Sequence, residues 1–142
     1  RTSFEANIQK QLIRLNKKAL IVSGKSEGNS SIIKVSENIS RVDFLNSSEL
    51  ARAISKSKIV LCRSGYSSIM DMIHLGKKAI LIPTRGQTEQ EYLARYLAKQ
   101  KYFPYMSQNE TRLSEILKKM EDYCPPNIND PFNLEKKMQD LF

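Results

Sequence analysis

Short, nearly continuous apolar runs alternate with segments of helical spacing in this sequence, and this alternation limits the fold more than any other feature. The runs are Ala19–Ser23, Ile59–Cys62 and Ala79–Ile82. None shows the polar alternation of a strand with one face in water, so each is typical of a parallel strand covered on both faces. The order of elements predicts an α/β fold with a Rossmann-like, doubly wound parallel sheet.

Helices and further extended segments fill the intervals. Apolar residues at three- and four-residue spacing predict helices over 4–17, 49–56, 69–75, 89–99, 113–123 and 134–141. Residues 39–45 alternate in part and predict another strand, whereas 102–106 contain a proline and form an edge strand at most. Ser48 is expected to cap the second helix, and Gly76 lies where a glycine commonly ends a helix.

The length and composition fit one domain. The chain has 142 residues, 40% of them hydrophobic, which suffices for one core but not for two. No apolar run approaches the roughly 18–20 residues of a membrane-spanning helix. Because the first residue is Arg1 rather than methionine, we expect residues 1–142 to be one domain of a longer chain.

Charge and metal-binding residue types narrow the function classes. The formal net charge of +8 favours anionic partners, but the basic residues are dispersed and no nucleic-acid-binding motif is present, so no nucleic-acid partner is expected. Cys62, Cys124 and His74 lack the spacing of a zinc site, and the sequence predicts no metal and no other cofactor. Two cysteines are too few for a disulfide framework, which favours a cytoplasmic location.

Polar turns with a glycine follow all three apolar runs, at 23–25, 63–65 and 84–86. Ligands of doubly wound sheets bind at the carboxyl ends of strands, so these turns are the candidate site. The segment Gly24-Lys25-Ser26 is not a P-loop, because Ala19 stands where that motif requires its first glycine.

The turn Ser64–Ser68 is the most informative, because it follows an apolar run and opens a helix. Unpaired amides at a helix start, together with the positive end of the helix dipole, favour an anion such as a diphosphate. Gly65 would permit a backbone geometry closed to other residues and a close approach of the ligand. The alternative is a serine-capped helix without a ligand.

Acidic and amide side chains accompany this turn. Asp71, one turn into the helix, is placed to accept hydrogen bonds from two ribose hydroxyls, or alternatively only complements the helix dipole. Gln87, Gln90 and Glu91 surround the start of the next helix, and amides with carboxylates suit a polyhydroxyl ligand such as a sugar. The alternative is a solvated helix start in which Thr88 is the cap and Glu91 closes a capping box.

Taken together, these segments resemble the C-terminal domain of GT-B glycosyltransferases. They are most similar to the bacterial N-acetylglucosaminyltransferase family that makes the lipid-linked intermediate of peptidoglycan. The matching residues are Val60–Gly65, Asp71, Gly76, Ala79–Pro83 and Gln90-Glu91-Tyr92. The resemblance is close over about residues 58–95 and extends more loosely, in the order of elements, from the first helix to about residue 120.

The resemblance implies a nucleotide-binding role for several residues. Ser64, Gly65 and the amide of Tyr66 would bind the diphosphate of a nucleotide-sugar donor. Asp71, where the family usually has glutamate, would bind the ribose hydroxyls. Phe44-Leu45 falls where the family holds the uracil base through its backbone, although the loop that follows is longer here.

The resemblance identifies the transferred sugar less closely than the nucleotide. Gln90 and Glu91 would contact the sugar, with Gln87 in the loop before them. The family commonly has glutamine at both of the positions that correspond to Gln90 and Glu91. The loop Thr84–Gln87 also differs from the family pattern, so donor specificity does not transfer. No catalytic base is identified, because the family supplies it from an N-terminal domain.

The implied activity is transfer of a hexosyl group, of the N-acetylglucosaminyl type, from a UDP-sugar to an acceptor hydroxyl without a metal. A first strand and a glycine-rich loop are expected upstream of residue 1. The acceptor-binding domain is expected on the same enzyme or on a partner subunit, and the chain alone is expected to be inactive. The resemblance implies a lipid-linked or cell-envelope glycan as acceptor, and a cytoplasmic location at the inner membrane face.

Two other classes of function are also compatible with the sequence. One is a UDP-sugar 2-epimerase or hydrolase of the same fold, which would bind the same donors without an acceptor. The other is a non-catalytic basic module that binds nucleic acid or serves as a partner subunit, which the net charge of +8 favours.

Overall fold

The computed structural model describes residues 2–25, 28, 31–127 and 136, and it divides into two compact units, Arg1–Lys56 and Ser57–Phe142. The first unit contains α1 (Thr2–Leu15), β1 (Ala19–Val22), β2 (Ile33–Lys34), β3 (Ile39–Val42) and α2 (Ser47–Lys56). The second contains β4 (Ile59–Cys62), α3 (Tyr66–His74), β5 (Lys78–Leu81), α4 (Thr88–Lys99), α5 (Leu113–Lys118) and a 3-10 helix (Met120–Asp122). The expected helix 134–141 lies outside the described residues, apart from Lys136, which is helical. The assignment of the chain to one domain stays a prediction.

The first unit is built on a three-stranded sheet in the order β1-β3-β2. β1 and β3 are parallel, with Val22 opposite Val42, and the short β2, which the sequence did not predict, is antiparallel to β3. Ile39 and Val42 of β3 are buried, whereas β1 alternates between half-buried and exposed positions. The expectation that β1 is covered on both faces is therefore wrong.

The second helix begins two residues earlier than expected, and its cap is Asn46 rather than Ser48. The amide of Glu49 donates to Asn46 Oδ1 (2.8 Å), and the amide of Asn46 donates to Glu49 Oε1 (3.1 Å). These reciprocal bonds form a capping box, because each side chain satisfies an amide that the helix itself leaves unpaired. The change of cap moves the helix start to Ser47.

Parallel pairing organises the second unit. β4 pairs with β5, with Cys62 opposite Leu81, and Tyr105 forms a parallel bridge to Leu81 on the other side of β5. This bridge agrees with the predicted edge segment 102–106. Parallel neighbours end at the same edge of a sheet, so the turns that follow Cys62, Leu81 and Tyr105 lie together.

The core of the second unit surrounds β5, in which Ala79, Ile80 and Leu81 are fully buried. Further fully buried side chains come from α3, α4, α5 and the segment around the bridge: Ile69, Ile73, Leu97, Phe103, Met106 and Leu113. β4 is half-buried throughout, so the expected complete burial of this strand is wrong. Among the described residues it has a hydrogen-bonded strand neighbour on one side, β5.

A glycine ends α3 as the sequence predicts. Gly76 has a positive φ of 60°, and its amide donates to the carbonyl of Ile73 (3.1 Å). The amide of Lys77 donates to the carbonyl of Met72 (2.9 Å), which completes a Schellman motif.

The expected α/β fold with parallel strands is confirmed. No helix within the described ranges combines the length and apolar character of a membrane span.

Candidate functional site

The candidate site begins at the turn between β4 and α3. Helix α3 starts at Tyr66, its N-cap is Gly65, and no side chain hydrogen-bonds to the cap. The hydroxyl of Ser64 is fully buried and donates to the backbone carbonyl of Gln90 (2.7 Å). The alternative of a serine-capped helix is therefore wrong, and the Ser64 hydroxyl is turned away from the helix start.

Gly65 contributes space rather than an unusual backbone. Its φ of −73° and ψ of 151° describe extended backbone that any residue adopts, so the expected glycine-specific geometry is wrong. A Cβ built at Gly65 would have no atom within 4 Å. The absent side chain thus leaves the volume beside the start of α3 open, as the expected close approach of a ligand requires.

Asp71 lies on the solvent-facing side of α3. It is exposed, as is Ser67 one turn before it, whereas Ile69 and Ile73 of the same helix are fully buried. Asp71 lies five positions after Tyr66 in the helix, an axial distance of about 7.5 Å. The predicted contact of this carboxylate with a ribose stays a prediction.

The loop between β5 and α4 is held by side chains of the first turn of α4. Gln90 Oε1 accepts a hydrogen bond from the amide of Thr84 (2.9 Å), and Gln90 Nε2 donates to Gln87 Oε1 (3.1 Å). Glu91 Oε1 accepts from the amide of Gly86 (3.0 Å), whose positive φ of 85° favours glycine.

These bonds correct one of the alternatives for the start of α4. The N-cap is Gln87 without a side-chain cap bond, so the capping box from Thr88 to Glu91 is wrong. Glu91 instead binds the amide one residue before the N-cap. Gln87, Gln90 and Glu91 are thus brought together around one loop, and Ser64 touches the same turn through the carbonyl of Gln90.

Arg63 joins the three turns at this edge of the sheet. Its Nη1 donates to the carbonyls of Ile82 and Pro83 (3.3 Å each) and to Gln108 Oε1 (3.2 Å). The guanidinium therefore links the end of β4, the segment after β5 and the segment after the Tyr105 bridge. Its role was not predicted from the sequence, although an arginine directly after an apolar strand is a visible signal.

A cavity of about 370 Å³ opens next to this loop. Its lining includes Arg85 from the loop, Glu91 and Arg95 from α4, and Tyr105, Gln108 and Asn109 from the segment after the bridge. The sequence indicated Glu91 and the loop that carries Arg85. Arg95 and the lining residues after the bridge were not predicted. The sequence does not show that the bridge between Tyr105 and Leu81 places residues 105–109 beside α4 and the loop before it.

The Cys62 thiol and the His74 imidazole are each constrained by their surroundings. Burial raises the pKa of the Cys62 thiol to about 11, so the group is a neutral thiol near pH 7 and a poor nucleophile. His74 Nδ1 lies 2.7 Å from the carbonyl of Met70, within its own helix. The described part of the chain has no group of three or more His, Cys, Asp or Glu side chains arranged to hold a metal.

Two predicted residues belong to the first unit. Phe44 and Leu45 follow β3, where Phe44 is exposed and Leu45 is half-buried. Their predicted contact with a base stays a prediction. Tyr66 is also exposed, at the first position of α3 in the second unit.

Comparison with known proteins gives one family match over nearly the whole chain. The model of the glycosyltransferase family 28 C-terminal domain matches residues 3–140. Two similar curated proteins are UDP-N-acetylglucosamine--N-acetylmuramyl-(pentapeptide) pyrophosphoryl-undecaprenol N-acetylglucosamine transferases. The protein from Haemophilus ducreyi is 33% identical over 70 residues (49% of this chain, 19% of the relative). The one from Mannheimia succiniciproducens is 34% identical over 65 residues (45% and 18%).

Among solved structures, the NMR solution structure of ALG13 has a TM-score of 0.54 and 20% identity, over 70% of this chain and 51% of that one. At this identity the likeness shows the fold alone. The chain spans less than a fifth of the length of the curated relatives above.

Proposed function

The chain belongs to the glycosyltransferase family 28 C-terminal domain, and from this premise we propose that it binds the nucleotide-sugar donor of a hexosyl transfer. The donor is a UDP-sugar and the product a glycoside of an acceptor hydroxyl. An N-acetylglucosaminyl group is the first candidate for the transferred sugar, because the two relatives named above are N-acetylglucosamine transferases.

The observation that carries the proposal is the geometry of α3. The helix start has no side-chain cap, the volume beside Gly65 is open, and Asp71 lies on the exposed face one turn farther on. Amides and the helix dipole stabilise a diphosphate at such a start, and a carboxylate accepts hydrogen bonds from ribose hydroxyls. Gln90 and Glu91, which lie next to this turn through the Ser64 bond, would contact the sugar.

The same groups would assist the reaction. In the transfer, the bond between the anomeric carbon and the UDP oxygen breaks, the acceptor oxygen bonds to that carbon, and the acceptor proton passes to a base. Negative charge then grows on the leaving diphosphate, where preorganised amides at the start of α3 stabilise it without a metal. The base is proposed to lie outside this chain, on an N-terminal domain or a partner subunit.

The wider assignment follows from the family and the names of the relatives. We propose that the acceptor is a lipid-linked or cell-envelope glycan, presented at the cytoplasmic face of the inner membrane. The name of the relatives, which includes undecaprenol, supports a lipid-linked acceptor. The net charge of +8 would favour association with an acidic membrane surface.

Titration of the 142-residue chain with nucleotides, followed by calorimetry and by amide chemical shifts, tests the proposal. We expect UDP to bind in the micromolar to millimolar range, UMP to bind more weakly and ADP to bind less than UDP. The largest shifts are expected at the amides of residues 65–68, and EDTA should leave the affinity unchanged.

An absent response to UDP would contradict the proposal. Salt-sensitive binding of random oligonucleotides that UDP does not compete would favour the basic binding subunit instead. Product analysis with and without acceptor, in the full enzyme, separates transfer from epimerisation or hydrolysis.

A further inference from the structure

Two arginines of the cavity described above lack a counter-ion within the described residues. Arg85 and Arg95 both line it, and neither guanidinium takes part in an ion pair or a hydrogen bond there. A guanidinium presents several donors in a planar fork that matches carboxylate and phosphate oxygens. Two such groups at one cavity are suited to an anion.

The acidic side chain nearest in sequence does not neutralise them. Glu91 lies four residues before Arg95 on α4, a spacing at which helices commonly form ion pairs. Its Oε1 instead accepts a hydrogen bond from the amide of Gly86 (3.0 Å). The carboxylate is thereby drawn toward the loop, and the guanidinium of Arg95 stays available.

The remaining lining residues are uncharged, and all but Pro83 are polar. Tyr105, Ser107, Gln108 and Asn109 offer hydroxyl and amide groups, so two arginines and one glutamate leave a formal charge of +1 (2 − 1). The volume of about 370 Å³ lies at the lower end of the range for small-molecule sites, roughly 300–1,000 Å³.

We propose that this cavity binds an acidic group, a carboxylate or a phosphate, of a substrate whose reacting sugar lies at Gln90 and Glu91, and that Arg85 and Arg95 are its ligands. The inference rests on the proposed function, because Glu91 belongs both to the cavity and to the sugar contact. Two sources supply this chemistry. One is the carboxylate of a uronosyl donor, which would replace the N-acetylglucosaminyl group, and the other is a phosphate on the acceptor.

The test compares probes that differ in the acidic group alone, at constant ionic strength. UDP-glucuronate and UDP-glucose differ at C6, and inorganic phosphate against chloride represents an acceptor phosphate. We measure affinities by calorimetry and follow amide shifts of residues 85–95 and 105–109 for the wild type, Arg85→Gln and Arg95→Gln. Lys99→Gln is the matched control, because it removes one exposed charge from α4 outside the cavity.

We expect either an approximately tenfold preference for UDP-glucuronate over UDP-glucose or a saturable response to phosphate at the amides of residues 85–95 and 105–109. Both arginine variants should lose this response, Lys99→Gln should keep it, and the affinity for UDP itself should not change in any of them. The first response assigns the acid to the donor and the second to the acceptor.

Absence of both responses overturns the inference even when UDP binds normally, and so does an equal loss in Lys99→Gln. A failure of UDP to bind contradicts the proposed function instead. In that case the phosphate titration still tests whether the cavity binds an acidic group, because phosphate contains no uridine. Thermal unfolding of each variant checks that the fold is retained.

Discussion

The hydroxyl of Ser64, a fully buried residue of the second unit, donates a hydrogen bond of 2.7 Å to the backbone carbonyl of Gln90. This bond ties the turn before α3 to the first turn of α4. The two segments that are proposed to bind diphosphate and sugar are therefore held at a fixed separation. The Ser64 hydroxyl has a structural role, and the main-chain groups after it are proposed to contact the phosphates.

Replacement of Ser64 should lower stability. We expect Ser64→Ala to reduce the free energy of unfolding by about 1–2 kcal/mol, because a buried hydrogen bond is lost. Urea denaturation at constant m-value measures the change. Ser67→Ala, at an exposed position of α3, is the control and should change stability by less than about 0.5 kcal/mol. Equal midpoints for the two variants would show that the Ser64 bond contributes nothing.

Gly65→Ala should weaken UDP binding without unfolding the chain. Its φ of −73° accepts alanine, but the new methyl group fills the open volume at the start of α3, so we expect an approximately tenfold loss of UDP affinity. Gly76→Ala is the opposite control. At a φ of 60° it should cost about 1–2 kcal/mol of stability and leave UDP affinity intact. Wild-type affinity in Gly65→Ala would place the diphosphate elsewhere.

Asp71→Asn should discriminate between nucleotides. A hydrogen bond to a charged carboxylate contributes about 1.5–3 kcal/mol, so we expect UDP affinity to fall at least tenfold. The affinity for 2′,3′-dideoxy-UDP should stay the same, because that ligand lacks both ribose hydroxyls. Calorimetry of the wild type and Asp71→Asn with each of the two ligands gives the four affinities to be compared. Glu115→Gln is the charge control, because Glu115 is an exposed acid on α5. Parallel losses for the two nucleotides would argue against a ribose contact.

Arg63→Met should disturb the edge of the sheet. The substitution removes three hydrogen bonds to Ile82, Pro83 and Gln108, and we expect a loss of about 2–4 kcal/mol in the free energy of unfolding. Amide shifts of residues 105–109 should also change. Arg112→Met is the control, since Arg112 forms an exposed ion pair with Glu110 at 2.9 Å that contributes at most about 1 kcal/mol. A similar small loss in both variants would contradict the linking role of Arg63.

Cys62 should make stability depend on alkaline pH. Burial raises the pKa of its thiol from 9.0 to about 11, so between these values the unfolded chain releases the proton first. Stability is therefore complete below pH 9 and falls as the pH rises toward 11, by about 2–3 kcal/mol in total. The difference between wild type and Cys62→Ala in denaturation midpoints from pH 8 to 11 isolates this contribution. A constant difference across that range would mean that the thiol does not titrate as expected.

Much of the secondary structure followed from apolar spacing. The elements α1, β3 and α4 were predicted, because side chains three or four residues apart in a helix, or two apart in a strand, share a face whatever surrounds them. The end of α3 was predicted from Gly76 itself, because glycine readily adopts the positive φ that ends many helices. Helix starts were less predictable. Asn46 rather than Ser48 caps α2, and Gly65 rather than a serine precedes α3, because a cap depends on which polar group reaches the free amide.

By itself the sequence determined the α/β fold, the apolar strand β5 at its centre, and the family to which the turn at Ser64 and the acid at Asp71 belong. These features are encoded by residues close together along the chain. The tertiary structure alone decided that the Ser64 hydroxyl points inward, that Arg63 links three turns, and that Arg85 and Arg95 share a cavity with Asn109. Those relations join residues 10 to 45 positions apart, and they exist only after parallel strands bring their carboxyl ends to one edge.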